Sequence, residues 1–219
     1  MAKVLRESMT PLDAPDRSRI LRARDTTPLK GGPSFSLAHR LERLAWLICW
    51  TLLARWTPPM LSHWRIRLLK LFGAEVGEGA AIAASAVVWY PRNLRLGADA
   101  TIGPGANCYS MAMISIGPRT IISQRAHLCA GSHDVADPDF QLIARPITIG
   151  ADVWIAAEAF VGPGVQVGDG AVLGARACAF SALKPWTIYR GNPAAIVRSR
   201  VWRRRGEDLS AVMIPLRKN

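Results

Sequence analysis

Acidic residues are scarce in this chain: 16 Asp and Glu stand against 28 Lys and Arg in 219 residues, a formal net charge of +12. The deficit predicts attraction to something anionic, whether a membrane surface, a phosphorylated ligand or nucleic acid, and charge alone does not choose among them. Cysteine is also sparse. Cys49, Cys108, Cys129 and Cys178 are scattered with no C-x-x-C pair. That removes support for a zinc ribbon or a thioredoxin-type site and suits a reducing cytoplasm, where cysteines act as small apolar residues. A run long enough to span a bilayer is missing. The uncharged stretch "LAWLICWTLLA" is 11 residues closed by Arg43 and Arg55, against the roughly 20 that a spanning helix needs. The opening "MAKVLRESMTPLDAPDRSR" has no apolar run leading to a small-residue cleavage site, so no secretory leader is expected.

Half of the residues are hydrophobic, which supplies a core and excludes disorder of the whole chain. The length allows one good-sized domain with an appendage, or at most two small domains. Residues 1–36 are polar, basic and punctuated by Pro11, Pro15, Pro28, Gly31, Gly32 and Pro33, the composition of a flexible arm. Residues 37–75 change character. Pro58 and Pro59 interrupt two helical patterns that carry Trp46, Trp50, Trp56 and Trp64 among arginines. Two readings of the segment 37–72 stay open: a helical hairpin packed on its own domain or on a partner subunit, and an interfacial membrane contact with tryptophan and arginine at headgroup level.

From Val76 the chain is periodic in sixes: "VGEGAA", "IAASAV", then "LGADAT", "IGPGAN", then "IGPRTI", "ISQRAH", "LCAGSH", and after a longer break "IGADVW", "IAAEAF", "VGPGVQ", "VGDGAV", "LGARAC". In the last run the aliphatic positions are Ile149, Ile155, Val161, Val167 and Leu173, each followed by Gly or Ala. Neither a helix nor a half-buried strand has this period. A solenoid that turns a corner every six residues does: each block gives a short strand with one aliphatic side chain inward, and three blocks close a triangular coil. Coils then stack about 4.8 Å apart through parallel backbone pairing. The expected architecture is an all-β solenoid, a parallel β-helix over 76–183. Residues that break the period must leave as loops. The main exit is 131–146, holding "SHDVADPDF". Residues 184–219 are expected to add a strand, a short helix and a basic tail.

The hexad run, the "SHD" loop, the ending "KPWTIYRGNPAAIV" and the upstream "RLLKLFGAEVGEG" together resemble the left-handed β-helix (hexapeptide-repeat) acyltransferases. The resemblance runs from about Phe35 to Arg200 and is closest to the sugar O-acetyltransferases of colanic acid and nodulation-factor type. It implies left-handed coiling, acetyl-CoA as co-substrate, a sugar or glycan acceptor, and a homotrimer with active sites in clefts between neighbouring prisms. It also implies that His133 is the general base, a role that suits imidazole because its unperturbed pKa is about 6.5. Asp134 either orients that ring or turns the loop. Asn107 and Tyr109 fall in the acceptor region, and Trp154 lines the groove near the acetyl and pantetheine end or packs at the trimer contact. Ala156, Gly174 and Ala175 lie where small side chains admit the pantetheine arm. The family's common ending Lys-Asp-Val-Pro-Pro is replaced by "SALKPW", which puts Ser181 at the usual lysine and moves the cation to Lys184. Arg176, Arg190, Arg198 and Arg200 are the other candidates for the CoA phosphates.

A γ-class carbonic anhydrase on this fold needs three zinc-bound histidines, and the repeats offer only His127 and His133; no metal is expected. No nucleic-acid module is recognisable, and the repeats are poor in aromatics. N-acetylation of an amino sugar or small amine, and a non-enzymatic trimeric scaffold, stay open as alternatives. The expected location is the cytoplasm, with peripheral contact at the inner membrane face following from the interfacial reading of 37–72.

Overall fold

Each aliphatic position of the hexads becomes one inward-pointing side chain of a three-sided parallel β-solenoid. The structure is a computed structural model that describes residues 34–202. The first coil is β1 (Glu75–Val76), β2 (Ala81–Ile82) and β3 (Val87–Val88); the second is β4 (Leu94–Leu96), β5 (Thr101–Ile102) and β6 (Asn107–Tyr109). The third is β7 (Ile114–Ile116), β8 (Ile121–Ile122) and β9 (His127–Cys129). After the hairpin β10 (Gly131–His133) and β11 (Leu142–Ala144), the fourth coil is β12 (Ile147–Ile149), β13 (Trp154–Ile155) and β14 (Phe160–Val161). The fifth is β15 (Gln166–Val167), β16 (Val172–Leu173) and β17 (Cys178–Ala179), and the antiparallel pair β18 (Thr187–Arg190) and β19 (Ala195–Ser199) ends the described chain.

Three sheets result. The first face is β1-β4-β7-β12-β15, the second is β2-β5-β8-β13-β16-β18-β19 and the third is β3-β6-β9-β14-β17. Inside, like stacks on like: Leu96, Ile116, Ile149 and Val167 on the first face; Ile82, Ile102, Ile122, Ile155 and Leu173 on the second; Val88, Cys108, Leu128, Val161 and Ala179 on the third, all buried. Coil length varies with the breaks in the sequence. Trp154 pairs with Val172, eighteen residues on, whereas Ala81 pairs with Thr101, twenty on, and Ile121 with Trp154, thirty-three on. The surplus leaves at the corner between the third and first faces, which is where the hairpin emerges.

A solenoid has open ends, and the first coil would leave carbonyls without partners. Two helices close that end. Ser36 caps α1 (Leu37–Leu53), its hydroxyl accepting from the His39 amide at 3.3 Å, and Pro58 and Pro59 separate α1 from α2 (Ser62–Leu71). Trp46 Nε1 donates to the Val88 carbonyl at 2.7 Å, and Arg65 Nε to the Ile82 carbonyl at 2.8 Å. Arg65 is only 2% exposed and spends its other nitrogens on Thr57 Oγ1, the Pro58 carbonyl and the Pro59 carbonyl. The strand expected after 184 is the β18–β19 pair; residues 184–202 hold no helix, and the rest of the C-terminal part with its basic tail, like all but 34–36 of the arm expected at 1–36, lies outside the described residues.

Candidate functional site

The loop that breaks the repeat is an ordered hairpin. Its strands pair Gly131 with Ala144, Ser132 with Ile143 and His133 with Leu142. Short acidic side chains build its tip: Asp134 Oδ1 accepts from the Ala136 amide at 3.0 Å, and Asp137 Oδ1 from the Asp139 amide at 2.8 Å, the side-chain turns typical of aspartate. Asp134 therefore turns the loop. The imidazole is held instead by the backbone: His133 Nδ1 lies 2.7 Å from the Phe140 carbonyl. Phe140 adopts a left-handed φ of 50°, which aims that carbonyl at the ring. A carbonyl only accepts, so the ring nitrogen facing it carries the proton, and in the neutral ring Nε2 holds the basic lone pair.

Gly131 fixes the hairpin to the third face. A side chain there would meet Met111 Sδ at 2.3 Å and Tyr109 Cε1 at 3.1 Å, so the close approach of hairpin to solenoid requires glycine. Outward from the third face runs a line of rings: Trp89 to Tyr109 at 5.6 Å, Tyr109 to His127 at 6.5 Å, His127 to Phe160 at 5.5 Å and Phe160 to Phe180 at 5.7 Å. Asn107 is the register partner of His127. Buried Asn107 Oδ1 and His127 Nε2 both lack a hydrogen-bond partner among the described residues, an arrangement that is costly unless something else supplies one. Burial lowers the His127 pKa, favouring the neutral ring. Burial likewise raises Tyr109, with Cys129 adding to the rise and Arg43 opposing it. Arg43 comes from α1 and lies 3.8 Å over the Trp89 ring.

The remaining residues singled out in the sequence lie elsewhere. Trp154 projects from the second face, 46% exposed, with Nε1 donating to Ser123 Oγ at 2.8 Å. Ala156, Gly174 and Ala175 form the adjoining corner between the second and third faces, and a Cβ on Gly174 would come 3.0 Å from the Tyr189 carbonyl. Arg190 and Arg198 are exposed at the C-terminal end of the second face, and Lys184 is exposed at the corner after the first face, beside Leu183, which bridges to Val167 of β15. Arg176 is paired with Glu158 at 2.6 Å. Arg200 donates to the Asp152 and Gly170 carbonyls and packs over the Trp202 ring, so it is engaged within the fold. The structure thus sorts the candidates into two groups. His133, Asp134, Asn107 and Tyr109 belong to the third face and its hairpin; Trp154, Ala156, Gly174, Ala175 and the cations belong to the second face and its surroundings. Trp154 stands on the second face, whereas His133 stands on the hairpin that leaves the solenoid between the third and first faces.

Sequence reasoning missed Phe140, Gly131, Arg43 and Trp89. Gly131 alone carried a signal, as a glycine at the point where the repeat stops. Among the described residues no group of three or more His, Cys, Asp or Glu is placed to hold a metal ion, and no helix is long and apolar enough to cross a membrane.

The family model for bacterial transferase hexapeptide (six repeats) matches residues 146–178. Over 159 residues the chain is 44% identical to the "Putative colanic acid biosynthesis acetyltransferase WcaF" of Escherichia coli (strain K12), covering 73% of this chain and 87% of that protein. It is 27% identical over 137 residues to galactoside O-acetyltransferase of the same strain, covering 61% of this chain and 68% of that one. Among solved structures, a hexapeptide-repeat-containing acetyltransferase of Vibrio cholerae complexed with acetyl coenzyme A superposes with a TM-score of 0.68 at 22% identity, over 75% of this chain and 90% of the other. At that identity the likeness is one of fold.

Proposed function

The chain belongs to the hexapeptide-repeat acetyltransferases, and from that premise we propose that it moves the acetyl group of acetyl-CoA to a hydroxyl of a sugar or glycan intermediate, with His133 as general base. The observation that carries the reading is the His133 ring held by the Phe140 carbonyl through Nδ1, which leaves Nε2 as the basic nitrogen of the neutral ring. Nε2 takes the proton of the acceptor hydroxyl as its oxygen attacks the thioester carbonyl, and returns a proton to the sulfur as the carbon–sulfur bond breaks. Such a base is worth about 10²–10⁴-fold in rate. Asn107 Oδ1 and neutral His127 Nε2, without partners among the described residues, suit hydroxyl groups of a sugar, and the rings of Tyr109 and Trp89 beside them suit its apolar face.

The acetyl-CoA side rests on the second face. Trp154 and the small residues Ala156, Gly174 and Ala175 suit the pantetheine arm, and Lys184, Arg190 and Arg198 are the exposed cations for the phosphates. Since these lie on a different face from His133, the working site takes its base from one chain and its cofactor wall from a neighbour. Repeated contacts between unlike faces form a ring when the rotation between copies closes, and a homotrimer would satisfy a three-sided prism. The decisive experiment incubates the protein with acetyl-CoA and a panel of sugars and follows CoA thiol release and acetylated product by mass spectrometry. O-acetyl products are cleaved by mild base and N-acetyl products are not, so the same products separate the hydroxyl reading from the amine reading. Absence of turnover with every acceptor, together with no binding of acetyl-CoA, would leave the scaffold reading instead.

A further inference from the structure

Helix α1 shows its apolar side to the outside. At about 100° per residue, Leu37, Leu41, Leu44, Ile48 and Leu52 fall within about 80° of arc, and each is more than half exposed. The residues that α1 buries, His39, Trp46 and Trp50, lie on the opposite side of the helix wheel. A surface helix ordinarily places its polar side there, and a leucine stripe left in water at this scale marks a contact surface. Trp56 and Met60, 72% and 79% exposed, extend the stripe beyond the end of the helix.

The helical segment is cationic. Arg40 in α1 and Arg55 just past its end are exposed, as are Arg67 and Lys70 in α2. Glu42 is the sole acid between 37 and 73, and its carboxylate is engaged by Tyr90 Oη and Arg92 Nε. Leucines flanked by arginine, with a tryptophan at the border, match the interface of an anionic bilayer, where the helix lies in the plane with its apolar side below the headgroups. A self-contact through this face would set cation against cation in a chain already at +12. We propose that the outward face of α1, with Trp56 and Met60, docks this protein on the surface of a membrane rich in anionic lipid. Both helices sit at the first-coil end of the solenoid, and the opposite side of α1 carries Arg43 beside Trp89. Docking would therefore hold the first-coil end of the solenoid next to the lipid surface. The inference rests on no step of the proposed reaction.

The test is co-sedimentation of the full chain with phosphatidylcholine vesicles, with and without phosphatidylglycerol, over a range of salt, beside light-scattering mass measurement in solution. The variant is Leu44→Glu combined with Ile48→Glu; both side chains face away from the body of the protein, so folding is checked by thermal melting. The expected result is sedimentation with anionic vesicles that weakens as salt rises, a partition coefficient at least about tenfold lower in the double variant, and the same solution mass for both proteins. Three results would overturn the proposal: no sedimentation with anionic vesicles at low salt; sedimentation that the double variant leaves intact, which assigns it to charge elsewhere; or a smaller mass for the variant, which assigns the stripe to a second copy of the chain.

Discussion

Replacing His133 by Asn separates the tether that the ring makes to Phe140 from the base role proposed for it. The amide nitrogen of Asn sits where Nδ1 of His does, so the variant keeps a donor for the Phe140 carbonyl, 2.7 Å from the ring in the native chain, while deleting Nε2. Gln does the reverse, reaching toward Nε2 and giving up the Nδ1 position. The hydrogen bond itself is worth about 1 kcal/mol, which shifts a melting temperature by about 2–4 °C in a domain of this size. Loss of a general base costs about 10²–10⁴-fold in kcat, or about 2.7–5.4 kcal/mol at about 1.36 kcal/mol per decade. Loosening the hairpin is therefore too small an effect to imitate loss of the base. Steady-state kinetics with acetyl-CoA and an accepted sugar should show both variants reduced by at least about a hundredfold in kcat, the KM for acetyl-CoA unchanged, and only the Gln variant melting earlier. If Asn keeps kcat within about tenfold of native while Gln loses it, His133 is a loop tether and the base lies elsewhere.

Arg65→Met removes a buried guanidinium that serves three backbone carbonyls and one hydroxyl; a loss of roughly 3 kcal/mol, read by urea denaturation, is expected, and an unchanged midpoint would dismiss its capping role. His39 is buried with neither ring nitrogen partnered among the described residues, and its pKa is lowered by burial first and by Arg43 second, with Glu42 opposing. The unfolded chain then takes up a proton at about pH 6.5 before the folded chain does, so stability falls as pH drops below that value. His39→Phe, which keeps the ring packing against Phe35 and Tyr90, should narrow the difference between melting temperatures at pH 7.5 and 5.5; an equal or wider difference refutes the assignment. Asn107→Leu removes a buried oxygen that lacks a partner among the described residues. It should leave the melting temperature level or higher while raising the acceptor KM about tenfold, whereas a purely structural Asn107 would lower stability and leave KM alone.

What was legible in the sequence follows from how locally each feature is encoded. Ile149, Ile155, Val161, Val167 and Leu173 are all buried because one inward side chain per hexad maps one pattern onto one geometry. The exit of the hairpin was legible as a loss of period. Which side of α1 faces the solenoid was not, because "LAHRLERLAWLICWTLLA" is apolar nearly all round. The choice was made by Trp46 finding the Val88 carbonyl, forty-two residues away. Arg65 likewise looks like any other arginine of "SHWRIRLLK"; its burial comes from the open end of a coil that forms later in the chain. Asp134 stood between orienting the ring and turning the loop, and the backbone supplies the orientation through Phe140. A left-handed φ at a phenylalanine leaves no mark in sequence, since that conformation favours glycine or asparagine.

Dividing the candidates between two faces makes the trimeric reading testable without an image of the trimer. Suppose each site takes His133 from one chain and Trp154 from the next. His133→Asn spoils every site by its base, and Trp154→Ala spoils every site by its cofactor wall when acetyl-CoA is limiting. In an oligomer assembled from an equal mixture, a site is intact when its first chain is the Trp154 variant and its second is the His133 variant, which random assembly gives about a quarter of the time. Co-expressed variants should then recover up to about a quarter of native activity per chain, far above the sum of the separate parents. A site held within one chain has no such rescue, because each polypeptide carries its own lesion. Activity of the mixture equal to the average of its parents would place His133 and Trp154 in unrelated roles and undo the shared-cleft model.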